Sequence, residues 1–228
     1  MQLKPLVVAL ATALAGLSAN AASVDLNGYT VAYDETTPGF GSVTFTFGDG
    51  TNEGFGWNVS NTVGVVSQSQ GLQTANFALP SFTITAKAGF TLSGVTGFLG
   101  NLVFNEVGSG AGTSASATGN VAINGTPVGG IGGALSRTTT FSSPFFNSGY
   151  YADQVSLATP SYNSLSFSGG VLSLTASAGA GQFASVIGNH QNTLSFSVVP
   201  TPVPEPETYA LMLAGLLAIG SLASRRQA

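Results

Sequence analysis

Between residues 22 and 199 the chain is a succession of short apolar or alternating runs, each interrupted by Gly, Asn or Ser. Ser42–Phe47 (SVTFTF) and Thr193–Val199 (TLSFSVV) alternate with period two, the pattern of a strand with one buried face. The same reading predicts strands at Tyr29–Tyr33, Phe55–Val59, Val63–Ser67, Ser81–Ala86, Thr91–Thr96 and Leu99–Phe104. It predicts more at Asn120–Ile123, Thr138–Phe141, Ser164–Phe167, Val171–Ala176 and Gln182–Ile187. Val, Thr, Phe and Tyr dominate these runs, as pleated, half-buried surfaces require. Turn signals punctuate them at Gly48-Asp49-Gly50, Asn124-Gly125 and Ser168-Gly169-Gly170. Many short strands at this spacing predict an all-β ectodomain of β-sandwich or jelly-roll type, with no helix. Two low-complexity stretches, Gly108–Gly119 and Gly129–Gly133, are expected to be loops, because small residues bury little apolar surface.

The two ends break this pattern. Lys4 precedes an apolar run, Pro5–Leu17, too short for a span of about 20 residues. Ala19 and Ala21 place small residues at the −3 and −1 positions of a cleavage site. Residues 1–21 thus read as a secretory signal peptide with a helical apolar core, cut after Ala21. At the other end, Pro200, Pro202, Pro204 and Pro206 predict an extended, unpaired spacer over 200–208. Tyr209–Ala223 follows as an apolar helix about 22 Å long, a marginal transmembrane segment against a hydrocarbon core of about 30 Å. Acids precede it (Glu205, Glu207) and a basic tail over 224–228 with Arg225 and Arg226 follows, so the arginines stay inside and the β domain lies outside.

Composition narrows the function classes. Only 6% of the 228 residues are charged, against about a quarter in ordinary domains. The body holds two cations, Lys87 and Arg137, against seven acids, a net charge near −5. That excludes nucleic acid as a partner, since phosphate binding needs clustered cations. There is no cysteine, so neither disulfides nor thiolate metal sites are available.

Candidate chemistry is sparse. His190, the sole histidine, lies in a polar turn without a paired acid in sequence. Asp34-Glu35 and Asp49/Glu53 are the nearest carboxylate pairs for a glycoside hydrolase, but adjacent strand residues point to opposite faces. Asp49–Glu53 offers oxygen ligands for calcium without EF-hand spacing; a polar hairpin turn is the simpler reading. Phe55 and Trp57 share a strand face and are candidate glycan contacts as well as candidate core residues; Tyr150-Tyr151 has the same ambiguity. No catalytic residue, metal or cofactor is assigned.

One family resemblance emerges. Val203-Pro204-Glu205-Pro206-Glu207, the apolar run and the terminal Arg225-Arg226, together spanning 203–228, resemble the PEP-CTERM sorting domain. The resemblance implies that Pro204, Glu205 and Pro206 form the sorting motif and that Arg225 and Arg226 form the membrane stop. It implies a membrane protease partner, an exosortase, that removes the tail, and a transient anchor in the inner membrane. Hosts of the family are mostly Gram-negative bacteria that make exopolysaccharide. Phe82–Phe90 is also similar to a strand–turn–strand pattern of other PEP-CTERM ectodomains, without implying an activity. The expected protein is therefore a non-enzymatic surface or matrix component associated with exopolysaccharide or biofilm. The alternatives are a carbohydrate-binding module and a secreted hydrolase.

Overall fold

The computed structural model describes residues 21–49, 52–191, 194–204, 211–217 and 219. The described strands are β1 (Ala21–Asp25), β2 (Tyr29–Asp34), β3 (Phe45–Gly48), β4 (Glu53–Trp57), β5 (Gly64–Gln68), β6 (Gly71–Ala78), β7 (Phe82–Ala86) and β8 (Phe90–Val107). They continue with β9 (Gly112–Ile123), β10 (Thr126–Ala134), β11 (Ser136–Ser142), β12 (Phe146–Leu157), β13 (Ser164–Ala178), β14 (Phe183–Ile187) and β15 (Leu194–Pro202).

All pairings are antiparallel and build two sheets. One runs β1-β2-β7-β13-β9-β10, with β6 also on β13. The other runs β11-β12-β8-β15-β4-β3, with β14 bridging β8 and β5. The chain is thus a β-sandwich, as the alternation predicted. The inner faces lock through phenylalanines: Phe82 and Phe167 of the first sheet meet Phe55 and Phe196 of the second. The Phe82 ring lies 4.5 Å from Phe196, 5.2 Å from Phe55 and 5.5 Å from Phe167. Each buried ring contributes about 2–3 kcal/mol of transfer free energy.

Three sequence expectations change. Gly108–Gly119 is not a loop: from Gly112 onward it is β9, paired on one side with β13 and on the other with β10. Its small residues are a packing requirement. A Cβ on Gly119 would drive into the Phe167 ring, so that core ring sits directly against bare backbone. Gly129–Gly133 likewise lies within β10, held by the ladder to β9 rather than by side chains. Ser168-Gly169-Gly170 does not end a strand. It is a register shift within β13, with Gly169 at φ 59°, so one bulged strand replaces two. Asn124-Gly125 does turn the chain, joining β9 to β10 with φ values of 49° and 78° as a two-residue type I′ loop demands.

Candidate functional site

The candidate site is the junction at which the chain leaves the sandwich. The alternation of β15 carries into the prolines: Pro200 pairs with Leu92 and Pro202 with Phe90 of β8. Of the spacer expected over 200–208, residues 200–204 are described and the rest lie outside the described residues; its first residues are paired rather than free. Parity allows this. Successive amides on a strand point to opposite sides. Val203 N donates to Gly89 O at 2.8 Å, so odd-numbered residues face β8 and the even-numbered prolines face away. Leu92, opposite Pro200, exchanges both of its backbone bonds with Tyr162 instead. The partner on the other side of β15 is β4, and its pairing ends at Val198. The missing proline donors therefore fall where no strand would receive them.

Pro204, first of the predicted sorting residues, is exposed immediately beyond this last bond. Glu205 and Pro206 lie outside the described residues, as do Ala19, Arg225 and Arg226 and the signal peptide through residue 20. Ala21, the predicted cleavage position, opens β1 opposite Asp34. Residues 211–217 are helical and expose Leu211, Met212, Leu213, Leu216 and Leu217. Among the described residues no helix is long and apolar enough to cross a membrane.

Beside the junction lies an open polar hollow of about 430 Å³, lined by Asp25, Leu26, Asn27, Thr46, Phe47, Gly48 and Glu53. Lys87 bridges its rim, donating to Leu26 O at 2.6 Å and pairing with Asp25 at 3.5 Å. The hydrogen bond from Thr30, then the Lys87 charge, holds the Asp25 carboxyl below its usual range. Glu53 is buried and accepts a long bond of 3.4 Å from Gly28 N. Among the described residues no group of three His, Asp or Glu side chains is placed to hold a metal.

The glycan contacts expected at Phe55 and Trp57 are corrected here. Both residues are 0% exposed, and Trp57 donates its indole N–H to Gly41 O at 3.1 Å. Their shared strand face is the inner one, so neither ring offers a surface to a sugar. Tyr151 is buried too and donates to Thr113 O at 2.6 Å, whereas Tyr150 points to the opposite, outer side. His190 is an exposed turn residue at φ 61°, and its Nε2 accepts from Asn61 N at 3.4 Å. Asp34 is tied up locally by the backbone and hydroxyl of Thr36, and Glu35 by the Ser42 hydroxyl. Asp34, Glu35 and Asp49 thus serve turns, Asp49 accepting from Asn52 N at 3.0 Å, while Glu53 is buried on β4.

A second cavity, of about 60 Å³, opens between the sheets among Phe98, Phe167, Phe196, Ile131 and Leu135, and its lining is almost wholly apolar. It is a gap in the core beside β10.

Comparison with known proteins identifies the class of this junction. Residues 202–227 match the family model of the PEP-CTERM protein-sorting motif. The match begins at Pro202, the residue that ends β15. The chain therefore carries a C-terminal sorting motif, which implies an exported, sorted protein and processing by an exosortase, a membrane protein. No curated protein sequence matches the chain. Among solved structures, it is similar to TmCBM61 in complex with beta-1,4-galactotriose, at 10% identity and a TM-score of 0.18, covering 62% of this chain and 90% of that one. Xyl-CBM35 in complex with a glucuronic acid containing disaccharide shows 13% identity and a TM-score of 0.16, over 82% and 96% of the two chains. Dimeric latent PorU from Porphyromonas gingivalis shows 14% identity and a TM-score of 0.19, over 82% of this chain and 14% of that one. Likeness at these scores carries no functional inference.

Proposed function

We propose that this chain is a non-enzymatic exported surface or extracellular-matrix protein. An exosortase-type membrane protease processes it during a transient stay at the inner membrane. The β domain then resides at the cell surface in association with exopolysaccharide or biofilm matrix. The observation that carries this reading is the position of the sorting motif, which starts where the last strand ends. A folded domain is thereby delivered to the membrane with the Pro-rich spacer ahead of a marginal apolar run. Asp34 and Glu35 are engaged by Thr36 and Ser42, and Asp25 and Glu106 by Lys87 and Arg137, which supports a role without catalysis.

Fractionation tests it. The full chain should pass through the membrane fraction and end at the surface or in the medium. Its intact mass should show loss of the leader near Ala21 and of a C-terminal piece beyond Val203. Deleting residues 204–228 should abolish the membrane stage. A full-length chain that stays in the cytosol, or a deletion variant that fractionates identically, would overturn the reading.

A further inference from the structure

The two outer faces of the sandwich differ in kind. On the seven-stranded sheet, hydroxyls and amides of the outer rows bond to one another, Ser114 with Thr175 at 2.6 Å and Ser173 with Asn76 at 2.6 Å, and the exposed large apolar residues among them, Leu72 and Val171, are aliphatic. On the eight-stranded sheet, one half of the outer face carries rings. Residues paired across strands share a face. The register Phe146–Val107–Phe183–Gln68 therefore forms one outer row, running from β12 across β8 and β14 to β5. The next row runs Ser148–Asn105–Ser185–Val66, with Phe141 of β11 opposite Ser148 and the small Ser185 covered by its neighbours. Tyr150 and Val103 follow in the third row. Inner-facing neighbours Phe104, Tyr151, Ala184 and Val186 are buried, which fixes the parity.

Phe141 is 54% exposed and its ring lies 5.6 Å from Phe146. Val66 and Val107 are exposed as well. Phe146 and Phe183 stand two strands apart, about 10 Å at the usual spacing. No Asp, Glu, Lys or Arg belongs to these rows; Glu106 of β8 and Arg137 of β11, on the opposite parity of the same strands, face inward to each other. Rings interleaved with Asn105, Gln68 and Ser148, and free of charge, match the two surfaces of a neutral sugar. Its C–H faces stack on aromatic rings, and its hydroxyls bond to amides. A charged glycan would meet no counter-charge here. The rows also lie at the Val107 end of β8, whereas the sorting junction lies at its Phe90 end. A domain held by its C-terminal segment would turn this half outward.

We infer that the outer half-face built on Phe141, Phe146, Tyr150 and Phe183, with Asn105 and Gln68, is a binding platform for an uncharged polysaccharide chain laid across the strands. This deepens the matrix association proposed above and rests on it.

The test is affinity electrophoresis of the full chain in mild detergent, with galactan, xylan and dextran as neutral probes and alginate as the anionic one. At least one neutral polymer should retard the protein, and alginate should not. Phe141→Ala should weaken the retardation about tenfold. Val66→Glu, which puts a charge among the rings, should do the same, so the platform is probed from two strands. Leu72→Ala, on β6 of the other sheet, should leave it unchanged. The idea is overturned if no neutral polymer retards the chain, if alginate does so equally, or if both platform variants bind like the parent. It is equally overturned if the variants instead dissolve a dimer seen by sedimentation, which would make the face a contact between copies. Fractionation of Phe141→Ala separates the two readings: sorting should be intact even where glycan binding is lost.

Discussion

Arg137 grips the buried carboxylate of Glu106 with both terminal nitrogens, Nη1 to Oε1 at 2.7 Å and Nη2 to Oε2 at 2.6 Å. The guanidinium also lies 4.0 Å over the Phe104 ring, and Thr113 on the opposite sheet donates its hydroxyl to Oε1 at 2.7 Å. Glu106 is 3% exposed, so the pair supplies the charge balance that its burial demands. Removing one partner strands the other. Arg137→Ala should cost about 3 kcal/mol, read as a lower urea midpoint with an unchanged slope. Arg137→Lys should recover only part of this, because a lysine cannot make the two-pronged contact.

The same pair gives the domain an acid limit. Burial pushes the Glu106 carboxyl up, but the bonds from Arg137 and Thr113 outweigh it and hold the group below its ordinary 4.5. A carboxyl depressed in the folded state contributes stability above its unfolded value and loses it as pH falls through the folded one. Stability should therefore decline on acidification below about pH 4.5. Asp25 and Asp34 shift the same way but are exposed, and their share is screened. Urea midpoints measured from neutral to acidic pH should fall less steeply in Glu106→Gln than in the parent. Parallel curves would assign the acid limit elsewhere.

Trp57 reports on the core. It stands edge-on to Phe55 at 5.6 Å and to Tyr33 at 5.9 Å. Trp57→Ala should cost about 3–5 kcal/mol through the cavity it leaves. As the sole tryptophan, its fluorescence should shift to the red in one step coincident with loss of the sheet signal in circular dichroism. Any loss of glycan retardation in Trp57→Ala should follow unfolding and vanish in Trp57→Phe.

The sandwich was legible from residue alternation because period two with Val, Thr and Phe leaves little other choice. What escaped had no such alternation. β6 (GLQTANFA) mixes polar and apolar residues on both rows, and β12 (FNSGYYADQVSL) puts Phe146 and Tyr150 outside and Tyr151 inside, with a register shift after Tyr151 that breaks the period. The first part of β9, before the predicted Asn120–Ile123, and most of β10 are built of small residues, and form strands only because neighbouring ladders hold them. The candidate site divides in the same way. The sorting motif is a linear signal, readable without a fold. The outer rings are brought together from β11, β12 and β14, and no window of sequence contains them all. For Phe55 and Trp57 the core and glycan readings both stood, because alternation says that two residues share a face without saying which face; burial selects the core.

The last strand ties the domain to the sorting motif, and proline parity makes that tie testable. Thr201 shares the parity of Val203, whose amide bonds to Gly89 on the β8 side. Thr201→Pro should therefore remove a ladder bond and leave a carbonyl of β8 short of its donor, at about 1–3 kcal/mol. Pro202→Ala restores an amide on the side with no strand to receive it, and should change stability by less than about 0.5 kcal/mol. Hydrogen exchange at the Val203 amide separates the two: protected in the parent and in Pro202→Ala, fast in Thr201→Pro. If both variants leave that amide equally protected, the chain is not held to the sheet by alternate residues. Fraying in Thr201→Pro lengthens the free segment ahead of Pro204, so the distance between folded domain and sorting motif is set by one strand's hydrogen-bond parity.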